Sequence, residues 1–177
     1  MEERETIEKV KEKQGILSQI QNFVTLGYGT KEDLRELDKK LRDIYYEELR
    51  DMRYEWADTY LAALESGRTV SSSGFKKVIQ VFDRVMEKVR HADYGYAGLM
   101  DRKGHIREDE LSRVLNYDRG LDNDVEGMRK AVKKTYSEAE TENWDSIPAE
   151  VKKMKGLLLA FEDKWREREK QFRPLEI

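Results

Sequence analysis

Apolar side chains recur every three or four residues along most of this chain, which is the period of one face of an α-helix. A first helix is predicted from about Glu2 to Leu26, where Gly27 ends the pattern. Thr30 then precedes a second periodic stretch that reaches Ser66 without a helix breaker. We therefore predict a very long second helix, about 50 Å at roughly 1.5 Å per residue.

The second helix has one apolar stripe, whose members are spaced about 3.6 residues apart on average. The stripe consists of Leu34, Leu37, Leu41, Tyr45, Leu49, Met52, Trp56, Tyr60 and Ala63. A third helix carries a similar stripe of Phe75, Val78, Phe82, Val85 and Val89. Each stripe needs a partner surface, because an amphipathic helix is not stable alone in water.

The second half of the chain is predicted to hold three more helices. A short one spans Glu108 to Asn116, a turn follows over YDRGLD, and a long one spans Asn123 to Glu140. Pro148 is suited to the first turn of the last helix, whose apolar stripe is interrupted by Arg168. The pattern predicts an all-α fold, an antiparallel helical bundle of about five long helices plus one short helix.

Length and composition agree with one folded unit. The 177 residues are expected to form a single all-helical domain over 1–177, in which the hairpin over 1–66 is long enough to overhang. Charged residues make up 40% and nearly cancel to a net charge of -3, so the chain as a whole does not attract nucleic acid or anionic lipid. It has no cysteine, no apolar span of bilayer length and no secretory signal at its start, and we expect a cytoplasmic protein.

Four carboxylates form a ladder on the second helix, at Glu48, Asp51, Glu55 and Asp58. At about 100° per residue, Glu48 and Glu55 lie at the border of the apolar stripe, and the two aspartates lie further round the same flank. The ladder is interpreted first as a solvated or salt-bridged edge. The alternative is that the four acids bind a divalent cation.

The stretch EWADTYLAAL, with Glu55 and Asp58 three residues apart, resembles the metal-binding helix of the all-helical nucleotide pyrophosphohydrolases related to MazG. The resemblance covers about ten residues and implies Mg2+ ligation by Glu55 and Asp58. That family requires a second carboxylate pair on a separate helix. Here Glu48 and Asp51 belong to the same predicted helix, so the sequence departs from the family pattern.

The region from Glu108 to Glu140 can also be interpreted as a helix-turn-helix with a basic surface at Arg129, Lys130, Lys133 and Lys134. Asp122, Asp124 and Glu126 at the start of the second helix would repel phosphate. Nucleic-acid binding is therefore an alternative and not the main prediction.

The function predicted from sequence is a non-catalytic helical interaction or assembly protein that docks helix against helix with a protein partner or with itself. Trp56, Tyr60 and Trp165 are proposed as partner anchors, because large aromatic side chains dominate docking energy. No catalytic residue and no cofactor is assigned. The alternatives are a Mg-dependent nucleotide pyrophosphohydrolase and a nucleic-acid-binding accessory protein.

Overall fold

A computed structural model describes residues 2–26, 31–92 and 108–172, and these form five helices without strands. The helices are α1 (Glu2–Leu26), α2 (Lys31–Glu65), α3 (Thr69–Arg90), α4 (Glu108–Glu140) and α5 (Ile147–Phe172). The predicted all-α class is confirmed. Within the described ranges, none of the helices combines the length and the apolar character needed to cross a membrane.

The second helix is one uninterrupted rod, as predicted. It runs for 35 residues, and Gly67 ends it with a φ of 71°, in the left-handed region that favours glycine. The Gly67 amide donates to the Leu64 carbonyl, and the Arg68 amide donates to the Ala63 carbonyl. This pair of hydrogen bonds is a Schellman motif, so the backbone reverses directly into α3.

Four helices enclose the core and α1 lies outside them. Helix α2 packs against α3 and α4, and α5 packs against the other side of both α3 and α4. Helix α1 lies along α2 and α4. One continuous cluster of buried apolar side chains contains residues from all five helices, from Ile16 to Trp165.

The direction of neighbouring helices follows from their contacts. Along α2 and α3 the contacts run in opposite order, since Trp56 meets Phe75 and Arg42 meets the Arg90 carbonyl. Along α3 and α5 they run in the same order, because Gly74 adjoins Val151 and Arg84 pairs with Glu162. The bundle is all-helical as predicted, but these contacts do not fit neighbours that all run antiparallel.

The predicted short helix and the turn over YDRGLD are wrong, because α4 is continuous from Glu108 to Glu140. Its buried stripe keeps the helical period through the predicted turn, with Val114, Asp118, Leu121, Val125 and Met128 all buried. Asp118 occupies a core position of this stripe, so the apolar pattern breaks although the helix does not. A helix-turn-helix is therefore absent from this part of the chain.

Candidate interaction surface on the second helix

The first carboxylate of the ladder is buried and paired with two cations. Glu48 Oε2 accepts a hydrogen bond of 2.8 Å from Lys13 Nζ on α1, and Glu48 Oε1 accepts one of 3.2 Å from Arg129 on α4. Lys13 Nζ also lies 2.5 Å from Asp122 Oδ1, an ionic contact without hydrogen-bond geometry. Lys13 is only 1% exposed, so it fixes α1 in the groove between α2 and α4.

The other three acids of the ladder do not converge on Glu48. Asp51 is exposed and pairs with Lys9 at 3.1 Å. Glu55 and Asp58 lie near Tyr136 of α4, and the pKa of Tyr136 is raised first by Glu140, then by burial, and then by the charges of Asp58 and Glu55. In the described part of the chain, no three acids or histidines are grouped as a metal site would require. The four ladder residues therefore lie along an edge, on which Glu48 and Asp51 are held by ion pairs to α1.

A second buried ionic network joins α2, α4 and α5. Arg168 is fully buried and donates from Nε to Asp118 Oδ1 and from Nη2 to Asp38 Oδ1, both at 2.8 Å. Asp38 also accepts a hydrogen bond from Arg42 Nε. The arginine that interrupts the apolar stripe of α5 thus meets the aspartate that interrupts the stripe of α4.

Tyr45 lies between the two networks. Lys13 Nζ stands 4.6 Å from the centre of its ring, and its hydroxyl donates to the backbone carbonyl of Asp118 at 3.1 Å. Burial first, and then the charges of Asp118 and Asp122, raise the pKa of Tyr45 well above its ordinary value. The hydroxyl therefore stays protonated and keeps its donor role.

The aromatic anchors predicted from sequence are mostly core residues. Trp56 is 0% exposed and donates its indole N–H to the Phe75 carbonyl, and Trp165 is 1% exposed and packs against Tyr45 and Phe161. A buried ring cannot reach a partner while the bundle is folded, so Trp56 and Trp165 are withdrawn as anchors. Tyr60 is half-buried, with its ring 6.1 Å from that of Phe75, and it remains near the surface.

The predicted basic surface on α4 is largely neutralised by neighbouring acids. Arg129 is half-buried between Glu48 and Glu126, and Lys130 lies 3.9 Å from Glu126. Lys134 pairs with Glu150 at 2.8 Å, while Lys133 is half-buried beside α1. Because acids accompany these cations, the surface does not have the concentrated positive charge expected for binding phosphate.

A groove of about 810 Å³ separates the first half of α1 from α4. Ile7 and Val10 form its apolar part, and Ile7 is 53% exposed. Both acids and bases line it, among them Glu3, Glu126 and Lys11. With mixed charges and a single strongly exposed apolar side chain, this groove does not define a particular ligand.

The outer face of α2 carries a more regular apolar surface, which we call the α2 seam and define as Tyr54, Ala57, Leu61 and Leu64. Tyr54 is 58% exposed, Leu61 53% and Leu64 39%, while Ala57 is half-buried. Their spacings of three, four and three residues match the a and d positions of a coiled-coil heptad. Helix α2 therefore has two apolar faces, one packed in the core and one turned outward.

Charged and polar side chains border the α2 seam on both sides. On one side Arg53 donates from Nε and Nη2 to the two carboxylate oxygens of Asp83, and Tyr60 follows one heptad later. On the other side lie Asp58 and Glu65, both exposed. Neither acid takes part in an ion pair within the described ranges, in contrast to Glu48 and Asp51.

Sequence reasoning missed the seam because only one apolar stripe was sought on α2. The signal was present in the order of Tyr54, Ala57, Leu61 and Leu64, which repeats at heptad spacing beside the inner stripe. Such a second stripe leaves an apolar face of α2 that the core does not cover.

Comparisons with known proteins add no relative to this picture. No protein-family model, no curated protein and no solved structure matches the chain.

Proposed function

We propose that this chain is a non-catalytic helical interaction protein that docks helix against helix through the α2 seam. The observation that carries the proposal is the exposure of Tyr54, Leu61 and Leu64 at heptad spacing on a helix whose opposite face is fully packed. Scattered exposed apolar residues are ordinary on protein surfaces. A row in which three large ones share one helical face has the pattern of a helix-docking site.

The arrangement of the other polar side chains supports the same proposal. Glu48 and Asp51 are taken up by Lys13, Arg129 and Lys9, and the cations of α4 are accompanied by acids. These groups hold the bundle together. The α2 seam, by contrast, lies on a continuous helix and keeps Tyr54, Leu61 and Leu64 39–58% exposed, as a preformed docking surface requires.

The proposal is tested by placing a charge in the seam of the full chain. Leu61→Lys is compared with Leu26→Lys, a matched control because Leu26 is also exposed, at 59%, but lies at the end of α1. Self-association is measured by sedimentation velocity, and protein partners are captured from a lysate of the native cell. Circular dichroism checks that both variants keep the wild-type helicity and melting temperature.

We expect the wild-type chain and Leu26→Lys to form the same complex, with itself or with one reproducible partner, and Leu61→Lys to lose it. A buried lysine at the centre of a helix interface leaves an unpaired charge, which is strongly destabilising. The proposal is wrong if all three proteins remain monomeric and capture no common partner, or if Leu61→Lys behaves as the control does.

A further inference from the structure

We infer that the partner of the α2 seam is a second copy of this chain, with the two α2 helices parallel about a two-fold axis that runs along the seam. The inference rests on the proposed function, because it names the occupant of the same surface. What carries it is the pattern of charges on the two borders of the seam.

The heptad register assigns each bordering residue to a position. With Tyr54 and Leu61 at a and Ala57 and Leu64 at d, Arg53 and Tyr60 are g residues, and Asp58 and Glu65 are e residues. The g border thus carries Arg53, which is already paired with Asp83, and the hydroxyl of Tyr60, whereas the e border is acidic. In a two-stranded coiled coil, these borders decide which orientation of the partner is favoured.

A parallel pair places each g residue beside the e residue five positions later in the other copy. Arg53 then faces Asp58 of the second copy, and Tyr60 faces Glu65, with both contacts made twice by symmetry. An antiparallel pair instead places the two e borders together. It would set Asp58 beside Asp58 and Asp51 beside Glu65, so like charges would repel.

The side chains that would meet in a parallel pair can still form hydrogen bonds across it. Arg53 uses Nε and Nη2 for Asp83 and has Nη1 left to donate. Asp58 and Glu65, which make no ion pair within the described ranges, gain donors from the other copy. Like charges along a helix edge are mutually destabilising, so contacts from the other copy would offset the repulsion between Asp58 and its acidic neighbours on the same edge.

The size of the seam limits the strength of this dimer. Beyond Tyr54, the next a and d positions toward the start of α2 are Glu47 and Arg50, which would each face an identical charge in a parallel pair. The contact therefore ends at Tyr54 and covers only about three helical turns. An interface of this size corresponds to a weak, concentration-dependent dimer.

Disulfide trapping tests both the occupant and its orientation, because the chain contains no other cysteine. Ala57→Cys is made in the full chain, since it keeps the three large seam residues, and Leu26→Cys is the exposed control. In a parallel pair, residue 57 of each copy lies in the same layer, within the range of a disulfide. In an antiparallel pair, residue 57 faces residue 61 of the other copy.

We expect Ala57→Cys to form a disulfide-linked dimer under mild oxidation at protein concentrations that leave Leu26→Cys monomeric. In a mixture of Ala57→Cys and Leu61→Cys, dimers between identical positions should exceed the mixed dimer. The inference is overturned if the mixed dimer predominates, or if Ala57→Cys is linked no faster than Leu26→Cys. If linking fails while Leu61→Lys still abolishes capture of a different protein, the proposed function stands and the second copy is excluded.

A charge exchange tests the same register without a new covalent bond. Asp58→Arg alone places two arginines in each g and e contact, and Arg53→Asp alone places two acids there. A mixture of these two variants restores an opposite pair at both contacts. We expect sedimentation to show loss of dimer for each variant alone and recovery in the mixture, and no recovery would contradict the parallel register.

Discussion

At the scale of single residues, the core contains charges that stand where the helical period calls for apolar side chains. Lys13, Asp118 and Arg168 are each buried, and each meets an opposite charge on another helix. A buried ion pair is weak evidence for added stability, because desolvation opposes the attraction. Removal of one partner is strongly destabilising, because the other charge is then left buried and unpaired.

Lys13→Met is therefore expected to reduce the free energy of unfolding by about 3–5 kcal/mol. The substitution keeps most of the apolar stem but leaves Asp122 without its cation and Glu48 with Arg129 alone. Urea denaturation measures the change, with Lys11→Met as the control on the exposed side of α1. The double variant Lys13→Met/Glu48→Gln should lose less than the sum of its two single variants.

An equal effect of Lys13→Met and Lys11→Met would show that the buried pair does not hold α1 in place.

Sequence alone could predict part of this residue-scale picture. The acidic ladder was predicted to be a solvated or salt-bridged edge, and within it Glu48 and Asp51 are ion-paired. The partners of Glu48 could not be predicted from the sequence, because Lys13 and Arg129 lie 35 and 81 residues away from it along the chain. Such pairs are fixed by how the helices pack, and helix packing is not encoded in local periodicity.

At the scale of helices, sequence reasoning succeeded where the apolar stripe was unbroken. It predicted α1 from Glu2 to Leu26 and α2 as one continuous rod, and both are confirmed. It failed over YDRGLD, where Gly120 and a stripe broken by Asp118 were interpreted as a turn. The helix continues because Arg168 satisfies the Asp118 carboxylate in the core, so the polar residue fits a buried position.

Gly120→Ala tests the continuity of α4. Nothing lies within 4 Å of a Cβ at Gly120, so alanine in place of a mid-helix glycine should stabilise the protein by about 0.5–1 kcal/mol. Gly74→Ala is the contrasting variant, because its Cβ would lie 2.9 Å from Val151 Cγ1 and the Val151 side chain would have to shift. Thermal unfolding should show a higher melting temperature for Gly120→Ala and no gain for Gly74→Ala.

A loss of stability in Gly120→Ala would mean that the backbone there needs the freedom of glycine, as the predicted turn would.

At the scale of the whole molecule, the class of fold was predictable and the arrangement of helices was not. The hydrophobic period and the helix-breaking residues indicate the number and length of the helices. Each amphipathic stripe, however, could pack against several other helices. The order of helices around the core depends on pairs such as Arg84 with Glu162, which join α3 to α5. Burial alone would raise the pKa of Glu162, but hydrogen bonds from Arg84 and Lys88 lower it below its usual value, so this carboxylate stays ionised in the interface.

The same architecture predicts an uneven distribution of local stability. From Glu3 to Glu12, no described side chain of α1 is buried, whereas its second half buries Lys13, Ile16, Leu17 and Ile20. Helix α3 buries Phe75, Val78, Phe82, Val85 and Val89 completely. Segments with few buried contacts open at low free energy, and core helices open only when the molecule unfolds.

Amide hydrogen exchange followed by mass spectrometry should therefore rank three segments of the intact chain. Residues 3–12 should exchange fastest, residues 13–20 more slowly, and residues 75–89 slowest of all. In Lys13→Met, exchange over 13–20 should move toward that over 3–12, because the ionic contacts of Lys13 with α2 and α4 are lost while Ile16, Leu17 and Ile20 stay buried. In the same variant, the amides of residues 75–89 should lose protection only by the amount that the global free energy of unfolding falls. Equal protection of 3–12 and 75–89 in the wild-type chain would contradict this hierarchy and would mean that α1 belongs to the cooperative core.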